Sequence, residues 1–371
     1  MTRKGQARRA LRAAHLSSVT GDFISDLVLF AVAAPLSIVA LQMGSPEMAS
    51  VILVALVVVA GLVGQSMTKG LISAFLGVLL SLIGLDPGTA GERMTFGIPE
   101  LMDGLSITAV GIGVLALGEV LRQISLYYLR SRREPSDAEE AIEDEQPFTF
   151  RDYISLLPTI FRSTSIGTVT GAIPGLGSSA AGFLGYAAAK RASKTPEKFG
   201  TGEMKGVAAS EAANSSVVGA NFIPLLTLGI PGNVAAAVIL GGFIIHGITP
   251  GPELFSQQPE LVYGLFGAMV IGDICNLLIG LVSMRMFARI ASVPLQYILP
   301  SVVLLCLTGV IVADNMFSAW LLMGAGLLGF LMRAIGFSFV TFIIGFVLGP
   351  MFELAVRQTV IYANGDPMYL F

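Results

Sequence analysis

The amino-acid sequence predicts an all-α polytopic membrane protein, and three observations carry this prediction. Hydrophobic residues make up 54% of the 371 residues, and charged residues make up only 13%. A soluble protein would carry about 25% charged residues. Several apolar runs of about twenty residues are long enough to cross a hydrocarbon core. Because these runs are continuous and do not alternate, a transmembrane β-barrel is a poor alternative.

Eight apolar segments are predicted to cross the membrane, four before and four after an unusual central region. The first four cover residues 15–41, 48–67, 69–84 and 104–129. The acidic stretch "RSRREPSDAEEAIEDEQP" (130–147) then predicts a solvated linker, because it is charged and holds few apolar residues. A Gly/Pro-rich region covers residues 150–258. The last four segments cover residues 260–284, 295–313, 316–332 and 335–352.

Lysine and arginine residues orient these segments, since the cytoplasmic ends of membrane helices are enriched in both. Five of them near the start of the chain predict a cytoplasmic N-terminus: Arg3, Lys4, Arg8, Arg9 and Arg12. Successive crossings return the later basic residues to the same side: Lys69, Arg130, Arg132, Arg133, Lys190, Arg191, Lys194, Lys198, Arg285, Arg289 and Arg333. Loops 42–47 and 85–103 hold mostly Asp, Glu and Gly, and we expect them on the opposite side.

An internal repeat relates the two halves of the chain. Residues 21–56, "GDFISDLVLFAVAAPLSIVALQMGSPEMASVILVAL", share a pattern with residues 272–307, "GDICNLLIGLVSMRMFARIASVPLQYILPSVVLLCL". Each has a Gly-Asp pair near the start of a long span, then a proline-marked turn, then a span rich in β-branched residues. The charges place the start of the two copies on opposite sides of the membrane. Two copies of opposite topology form an inverted repeat, which is typical of secondary transporters.

The repeat also predicts a domain organisation. Residues 1–129 would be the C-terminal part of a first repeat, 130–147 a cytoplasmic linker, and 148–371 the second repeat. The second copy is preceded by the region 150–258, whereas the first has few residues before it. By symmetry, we expect roughly 100 residues to be missing before Met1, so that the chain corresponds to one and a half repeats.

Two breaks interrupt the apolar chain of the second repeat. Each of them contains an Ile-Pro-Gly element: "GTVTGAIPGLGSSAAGFLGYAAAKR" (167–191) and "TLGIPGNVAAA" (227–237).

 Non-helical backbone survives in hydrocarbon only where protein or a water-filled cavity covers it. The half-helices that follow, beginning near Ser178 or Asn233, would offer free N–H groups and a partial positive charge to an anion. The alternative is that glycine and proline merely kink these helices.

Polar residues lie close to the two breaks and would supply neutral donors: Ser178, Ser179, Asn214, Ser215, Ser216, Thr227 and Asn233. Glu211 lies among small residues in "GVAASEAANSSVVGANFIPLL" (206–226), where it either has a functional role or forms a salt bridge to Lys205 or Arg191 at the interface. Asp22 and Asp273 are equivalent in the two repeats, and we expect them to be polar helix-packing residues near the interface.

The sequence offers no support for catalysis, a cofactor or a resident metal. Cys275 and Cys306 both lie in predicted spans, and His15 and His246 are too distant in sequence to suggest a ligand pair. Glu119 and Arg122 are spaced as an ion pair on one helix. "GAIPGLG" superficially resembles a phosphate loop, but no strand precedes it and its lysine is absent. The protein is therefore not expected to be an enzyme.

The central region resembles the large membrane subunit of tripartite tricarboxylate transporters. Five elements come in that family's order within residues 171–255: IPGLG, AKR-x-SK-x-PE-x-FG-x-G, EAAN, LTLGIPG and GITPGPELF. "TFGIPELMDGL" (95–105) matches a further element. The resemblance covers essentially the whole chain. It also implies truncation, because the N-terminal segment follows an Ile-Pro-Gly element in the family, and "NGDPMYLF" (364–371) resembles the start of a last helix.

The resemblance implies a multi-pass protein of the bacterial inner membrane that imports tricarboxylates or related carboxylates. It would work with a small membrane subunit and a periplasmic binding protein, and sodium or protons would drive it. Carried over by motif, the substrate and ion site comprises Pro174, Gly175, Gly177, Ser178, Ser179, Asn214, Ser215, Gly229, Pro231, Gly232 and Asn233. A sodium ion would be held transiently at the tips. Ser215 departs from the family, which often has a second Asn there.

Two functional hypotheses follow. In the first, two opposed tips solvate a carboxylate while groups of helices move to expose the site alternately to each side. In the second, the chain transports nothing and persists as a remnant or as a scaffold for the small membrane subunit. The DNA upstream of Met1 would discriminate between them, because an in-frame extension with another Ile-Pro-Gly element favours the transporter.

Overall fold

The computed structural model describes residues 7–63, 66–86, 88–130, 148–174, 177–290 and 293–363. The predicted linker, apart from Arg130, and the segment 364–371 lie outside these ranges. Helices account for 80% of the structure, which confirms the all-α prediction. The helices of the first half are α1 (Ala7–Ala40), α2 (Ser45–Val63), α3 (Met67–Ser81), α4 (Ile107–Ile112) and α5 (Gly118–Arg130). A short hairpin, β1 (Gly84–Leu85) and β2 (Glu92–Arg93), lies between α3 and α4.

The second half is also mainly helical. Its central region contains α6 (Phe150–Gly171), α7 (Gly177–Ala192), α8 (Met204–Ser215), α9 (Val217–Leu228), α10 (Val234–Ile245) and α11 (Leu254–Gln257). The later helices are α12 (Pro259–Ile290), α13 (Leu295–Ala313), α14 (Met316–Ala334) and α15 (Phe339–Tyr362).

Six helical segments among the described residues are long and apolar enough to cross a membrane. They are Arg9–Ala40, Ile107–Tyr127, Pro259–Ser283, Leu295–Ala313, Met316–Ala334 and Phe339–Tyr362. Three further apolar segments are shorter: Ser45–Gly61, Met67–Ser81 and Val234–Ile245. The segment predicted at 104–129 is not one regular helix, because a π-helical turn, Gly113–Leu117, separates α4 from α5. The chain is a polytopic membrane protein.

The chain divides into two compact units, and each draws helices from both halves of the sequence. The first unit comprises Met1–Leu41, Ser136–Gly232 and Pro250–Ser292. The second comprises Gln42–Pro135, Asn233–Thr249 and Val293–Phe371. The boundary between Gly232 and Asn233 falls inside the second Ile-Pro-Gly break. The units are therefore not the two predicted repeats, whose boundaries remain a prediction.

The first unit packs α1 against α6, α8, α9 and α12. Small residues allow this close approach: Ala13 of α1 and Ala208 and Ala212 of α8 are buried together with Leu156 and Ile160 of α6. Polar contacts tie α1 to its neighbours as well. Thr20 shares a hydrogen bond of 2.7 Å with the hydroxyl of Tyr153 on α6. This unit is thus held together around α1, with polar groups among its apolar contacts.

The second unit packs α15 against α2, α3 and α10, and α14 against α4, α5 and α13. A side chain of α14 satisfies a carbonyl group of the π-helical turn. Arg333 donates a hydrogen bond of 2.8 Å to the carbonyl oxygen of Val114. Near the hairpin, Arg357 of α15 donates to Asp86. That hydrogen bond is the main reason why the pKa of Asp86 falls from 3.8 to about 2.

Candidate functional site

The first predicted break is present. Helix α6 starts with a capping box, in which Thr149 and Asp152 each accept the other's backbone N–H. It ends at Gly171, three residues before Pro174, and α7 begins at Gly177, whose φ of +69° suits glycine. The predicted site residue Gly175 lies outside the described residues. Helices α6 and α7 therefore form a hairpin with an irregular tip, as the Ile-Pro-Gly element predicts.

The second predicted break is also present. Helix α9 ends at Leu228, and Gly229 follows in the left-handed conformation with its N–H donated to the carbonyl oxygen of Leu225. This is an αL cap, which glycine forms at little steric cost. Helix α10 starts at Val234, and the side-chain oxygen of Asn233 accepts the N–H of Ala236 at 2.9 Å. Asn233 is therefore the N-cap of the half-helix that the sequence predicts.

The first unit brings the two breaks together. A Cβ atom added at Gly232 would overlap the side-chain oxygen of Asn221 on α9 and would lie 3.4 Å from the carbonyl oxygen of Gly171. A larger residue at position 232 would require the Asn221 side chain to move. The C-terminal end of α6 and the start of the second break are thus neighbours, although they are about sixty residues apart in sequence. Pro231 is buried beside them.

Asn221 is the site residue that the sequence analysis missed. Only 3% of it is exposed, and its Nδ2 atom has no hydrogen-bond partner among the described residues. An unpaired buried amide is costly, so such a group calls for an explanation. One signal was available in the sequence, because Asn221 is a lone polar residue in the apolar run "VVGANFIPLL" (217–226).

The other predicted donors divide into two groups. Ser178 and Ser179 lie in the first turn of α7, and both retain solvent exposure. Asn214 of α8 faces α7, since its Cβ atom lies 3.7 Å from a Cβ position at Gly182. These three remain candidates for binding a ligand.

The second group of donors is engaged in packing. Ser215 shares a hydrogen bond of 2.6 Å with Ser18, which ties α8 to α1. Ser216 donates to the carbonyl oxygen of Ala213, and Thr227 donates to that of Ile223. Their hydroxyl groups therefore already have hydrogen-bond partners, and we expect these residues to shape the unit around the breaks.

The ionisable residues also have definite positions. Glu211 is partly buried on α8 and forms no ion pair within the described ranges, so the alternative of a salt bridge to Lys205 or Arg191 does not hold in this structure. Glu119 and Arg122 pair at 2.6 Å, as their spacing predicts. In the part of the chain that the structure covers, no three His, Cys, Asp or Glu side chains are arranged to hold a metal ion together.

The family model "Tripartite tricarboxylate transporter TctA family" matches residues 1–344. A protein of Agrobacterium vitis described as "Uncharacterized 52.8 kDa protein in TAR-I ttuC' 3'region" is 35% identical over 371 residues, which cover 99% of this chain and 72% of that protein. A second Agrobacterium vitis protein, described as "Uncharacterized protein in TAR-II ttuC' 3'region", is 35% identical over 201 residues, or 54% of this chain and 83% of its own length.

No solved structure matches the chain. The family match nevertheless spans most of the sequence, and it includes both helix breaks and the residues that meet at Asn221. The six apolar helices long enough to span a membrane agree with a membrane transporter. The chain belongs to the tripartite tricarboxylate transporter TctA family, and it therefore corresponds to the large membrane subunit of such a transporter.

Proposed function

We propose that this chain imports carboxylates across a bacterial inner membrane by alternating access and is driven by sodium or protons. It works with a small membrane subunit and with a periplasmic binding protein that delivers the substrate. Its N-terminus lies in the cytoplasm, and its role is transport rather than catalysis. The substrate class is organic carboxylates such as tricarboxylates, since specificity within that class rests largely with the binding protein.

The observation that carries this proposal is the meeting of the two breaks at Asn221. A citrate-like anion cannot cross hydrocarbon without partners, because a buried unpaired charge is prohibitively costly. The buried Nδ2 of Asn221 is a donor that lacks a partner in the described structure, and a carboxylate oxygen would satisfy it. The first turn of α7, with Ser178 and Ser179, adds backbone N–H groups and hydroxyls to the same unit.

Packing of α1 against α12 supports the inverted repeat. The rings of Phe30 and Phe266 stack 4.5 Å apart, and Nε2 of His15 lies 3.3 Å from the carbonyl oxygen of Leu277. These contacts require the two helices to run antiparallel, with Asp22 opposite Asp273 between them. The two aspartates are the equivalent residues of the predicted repeats. A two-fold axis in the membrane plane would relate the helices in just this way.

Polar contacts within each unit support the predicted orientation. Arg9 pairs with Asp152 at 2.7 Å, and the Lys69 ammonium donates to the carbonyl oxygen of Ile335 at 2.7 Å. In both pairs the charge pattern assigns the two residues to the cytoplasmic side. Arg357 and Asp86 pair at the end of α15 that is assigned to the opposite side.

An uptake measurement tests the proposal. The chain would be reconstituted in liposomes with the small membrane subunit and the binding protein, and uptake of radiolabelled citrate, malate and tartrate would be followed under a sodium or a proton gradient. We expect uptake of at least one carboxylate. Asn221→Ala should lower the rate by about 10- to 100-fold, because a hydrogen bond to a charged group contributes about 1.5–3 kcal/mol.

Asn276→Ala provides the control, since Asn276 is an exposed asparagine on α12 of the same unit. Its uptake should equal that of the unaltered chain. Equal uptake by Asn221→Ala and Asn276→Ala would show that Asn221 does not bind the substrate. No uptake of any carboxylate, together with stable copurification of the small subunit, would favour the scaffold hypothesis instead.

A further inference from the structure

Three carboxylates lie inside the membrane-spanning part of the first unit. Asp22 and Asp26 are four residues apart and therefore share one face of α1. Asp273 of α12 is 9% exposed, whereas its neighbours Ile271 and Ile274 are strongly exposed. The antiparallel packing described above sets Asp273 opposite Asp22, about one helical turn from Asp26.

The sequence analysis expected Asp22 and Asp273 to be polar helix-packing residues near the interface. Both lie on packed helices, and one oxygen of each is buried without a hydrogen-bond partner in the described structure. Asp26, which the sequence analysis did not single out, is the most buried of the three, with 3% exposure. We call Asp22, Asp26 and Asp273 the acidic cluster.

A separate observation comes from Ser25. This residue is 0% exposed, and its hydroxyl has no partner within the described ranges. Its Oγ and the Oδ1 of Asp26 converge on Gly219 of α9, where a Cβ atom would overlap both oxygens. Two unpaired buried oxygens therefore face one point between α1 and α9. Glycine at position 219 leaves that point open to a small ion.

No basic side chain compensates the acidic cluster in the described structure. The helices that pack on α1 carry the following charged or titratable groups outside the cluster: Arg151, Asp152, Tyr153 and Arg162 on α6, Lys205 and Glu211 on α8, and Glu260, Tyr263, Cys275, Arg285 and Arg289 on α12. Helix α9 carries none, and α1 itself adds Arg8, Arg9, Arg12 and His15. The ion pairs of the described residues include none with the cluster.

Three carboxylates so close together cannot all stay ionised in a medium of low dielectric constant without a cation. The available ligands are carboxylate and hydroxyl oxygens, which suit hard cations. No three acidic side chains of the described residues could ligate one metal ion together, so a bound metal ion would be held by the Asp26 and Ser25 oxygens that converge on Gly219. The chemistry that fits is neutralisation by monovalent cations.

We propose that this region binds the monovalent cation that drives transport, either as sodium held at the Oδ1 of Asp26 and the Oγ of Ser25 beside the other two carboxylates, or as a proton on the carboxyl groups of Asp22, Asp26 and Asp273. This rests on the proposed function. It places the cation on α1 and α12 rather than at the helix breaks, where the sequence analysis expected a transient sodium ion. A cavity of about 750 Å³ lies between α1, the start of α6 and α12, and it extends from Arg12 and Thr149 to Asp273. That cavity provides a route by which the cation reaches the cluster.

Cation binding is tested on the purified full chain, without any carboxylate. Binding of radiolabelled sodium would be measured by scintillation proximity, with unlabelled sodium and potassium as competitors. Protonated carboxyl groups would be detected at neutral pH by their infrared carbonyl-stretch band. If sodium is the cation, the chain binds it saturably and potassium does not compete. If it is a proton, the chain binds no sodium but shows the carboxyl band.

The variants are Asp26→Asn and Asp273→Asn, with Asp103→Asn in the exposed loop of the second unit as the control. Each cluster variant should weaken sodium binding at least tenfold or remove the carboxyl band, and the control should do neither. Ser25→Ala keeps every charge and should weaken sodium binding alone. Size-exclusion chromatography checks that the variants fold.

Two results would overturn the proposal. One is a wild-type chain that neither binds sodium nor shows the carboxyl band. The other is retention of both signals in the folded Asp26→Asn and Asp273→Asn variants. Because neither readout requires carboxylate movement, a chain that binds the cation but transports no carboxylate would refute the proposed function and leave the cation site standing.

Discussion

At the scale of single residues, Asn233 shows how a side chain can serve structure and binding together. Its Oδ1 accepts the N–H of Ala236 and caps α10, so the amide is held in one orientation. The remaining donor atom, Nδ2, is then the part of the side chain that can bind a carboxylate. Asn315 caps α14 with the same geometry, since its Oδ1 accepts the N–H of Ser318 at 2.9 Å. The chain thus offers a matched pair of asparagine caps.

Substitutions at these two asparagine caps distinguish helix capping from carboxylate binding. Asn233→Asp keeps an acceptor for the cap but replaces the donor with a negative charge, so we expect unchanged thermal stability and a loss of carboxylate uptake of at least tenfold. Asn315→Ala should cost about 1 kcal/mol of stability and leave uptake per folded protein unchanged. Melting curves measure the stability of both variants, and uptake per folded protein measures their transport activity. Full uptake by Asn233→Asp would mean that Asn233 only caps the helix.

At the scale of helices, close packing depends on particular glycines. A Cβ atom at Gly77 of α3 would overlap the backbone carbonyl oxygen of Phe342 on α15. Backbone cannot move aside as a flexible side chain can, so α3 and α15 would have to separate. Gly324 of α14 differs, because nothing lies within 4 Å of its Cβ position. Helix contacts of this kind are typical of membrane proteins, where small residues let backbones approach.

We therefore expect Gly77→Ala to destabilise the protein by about 1–3 kcal/mol, as overpacking does. Gly324→Ala should be neutral or slightly stabilising, because alanine favours a helix over glycine by about 1 kcal/mol. The fraction of monodisperse protein that survives heating in detergent would measure both effects. Equal survival of the two variants would contradict the close α3–α15 contact.

At the scale of the whole molecule, the distribution of Lys and Arg predicts which loops face the cytoplasm. The orientation proposed above assigns the loop after α7 to the cytoplasm and the loop before α4 to the opposite side. Lys194 and Asp103 are exposed residues of these two loops. A chemical label at either position reports the side of the membrane on which its loop lies.

Cysteine labelling tests this orientation. In a chain with Cys275 and Cys306 replaced by serine, a single cysteine at position 103 should react with a membrane-impermeant maleimide in intact spheroplasts. A single cysteine at position 194 should react only in inverted vesicles. This expectation follows from the enrichment of Lys and Arg in the cytoplasmic loops of membrane proteins. The reverse pattern would invert every assignment of sides made above.

The sequence by itself determined the class, the family and the position of the helix breaks. Apolar runs and scarce charge predict membrane helices because the bilayer excludes unpaired polar groups. Pro174 and Pro231 predict the breaks because proline removes a backbone donor and clashes with the preceding turn. These are local effects, so a single stretch of sequence is sufficient to reveal them.

Only the tertiary structure decided which polar residues of different helices lie next to one another. Sequence spacing cannot show that Asn221 meets Gly171 and Gly232, or that Asp273 lies opposite Asp22. It also could not show that the hydroxyl of Ser215 is engaged by Ser18. These relations depend on how separate helices cross, which is set by the packing of small residues across the whole unit. The helix breaks were therefore predictable, whereas the partners of their polar groups were not.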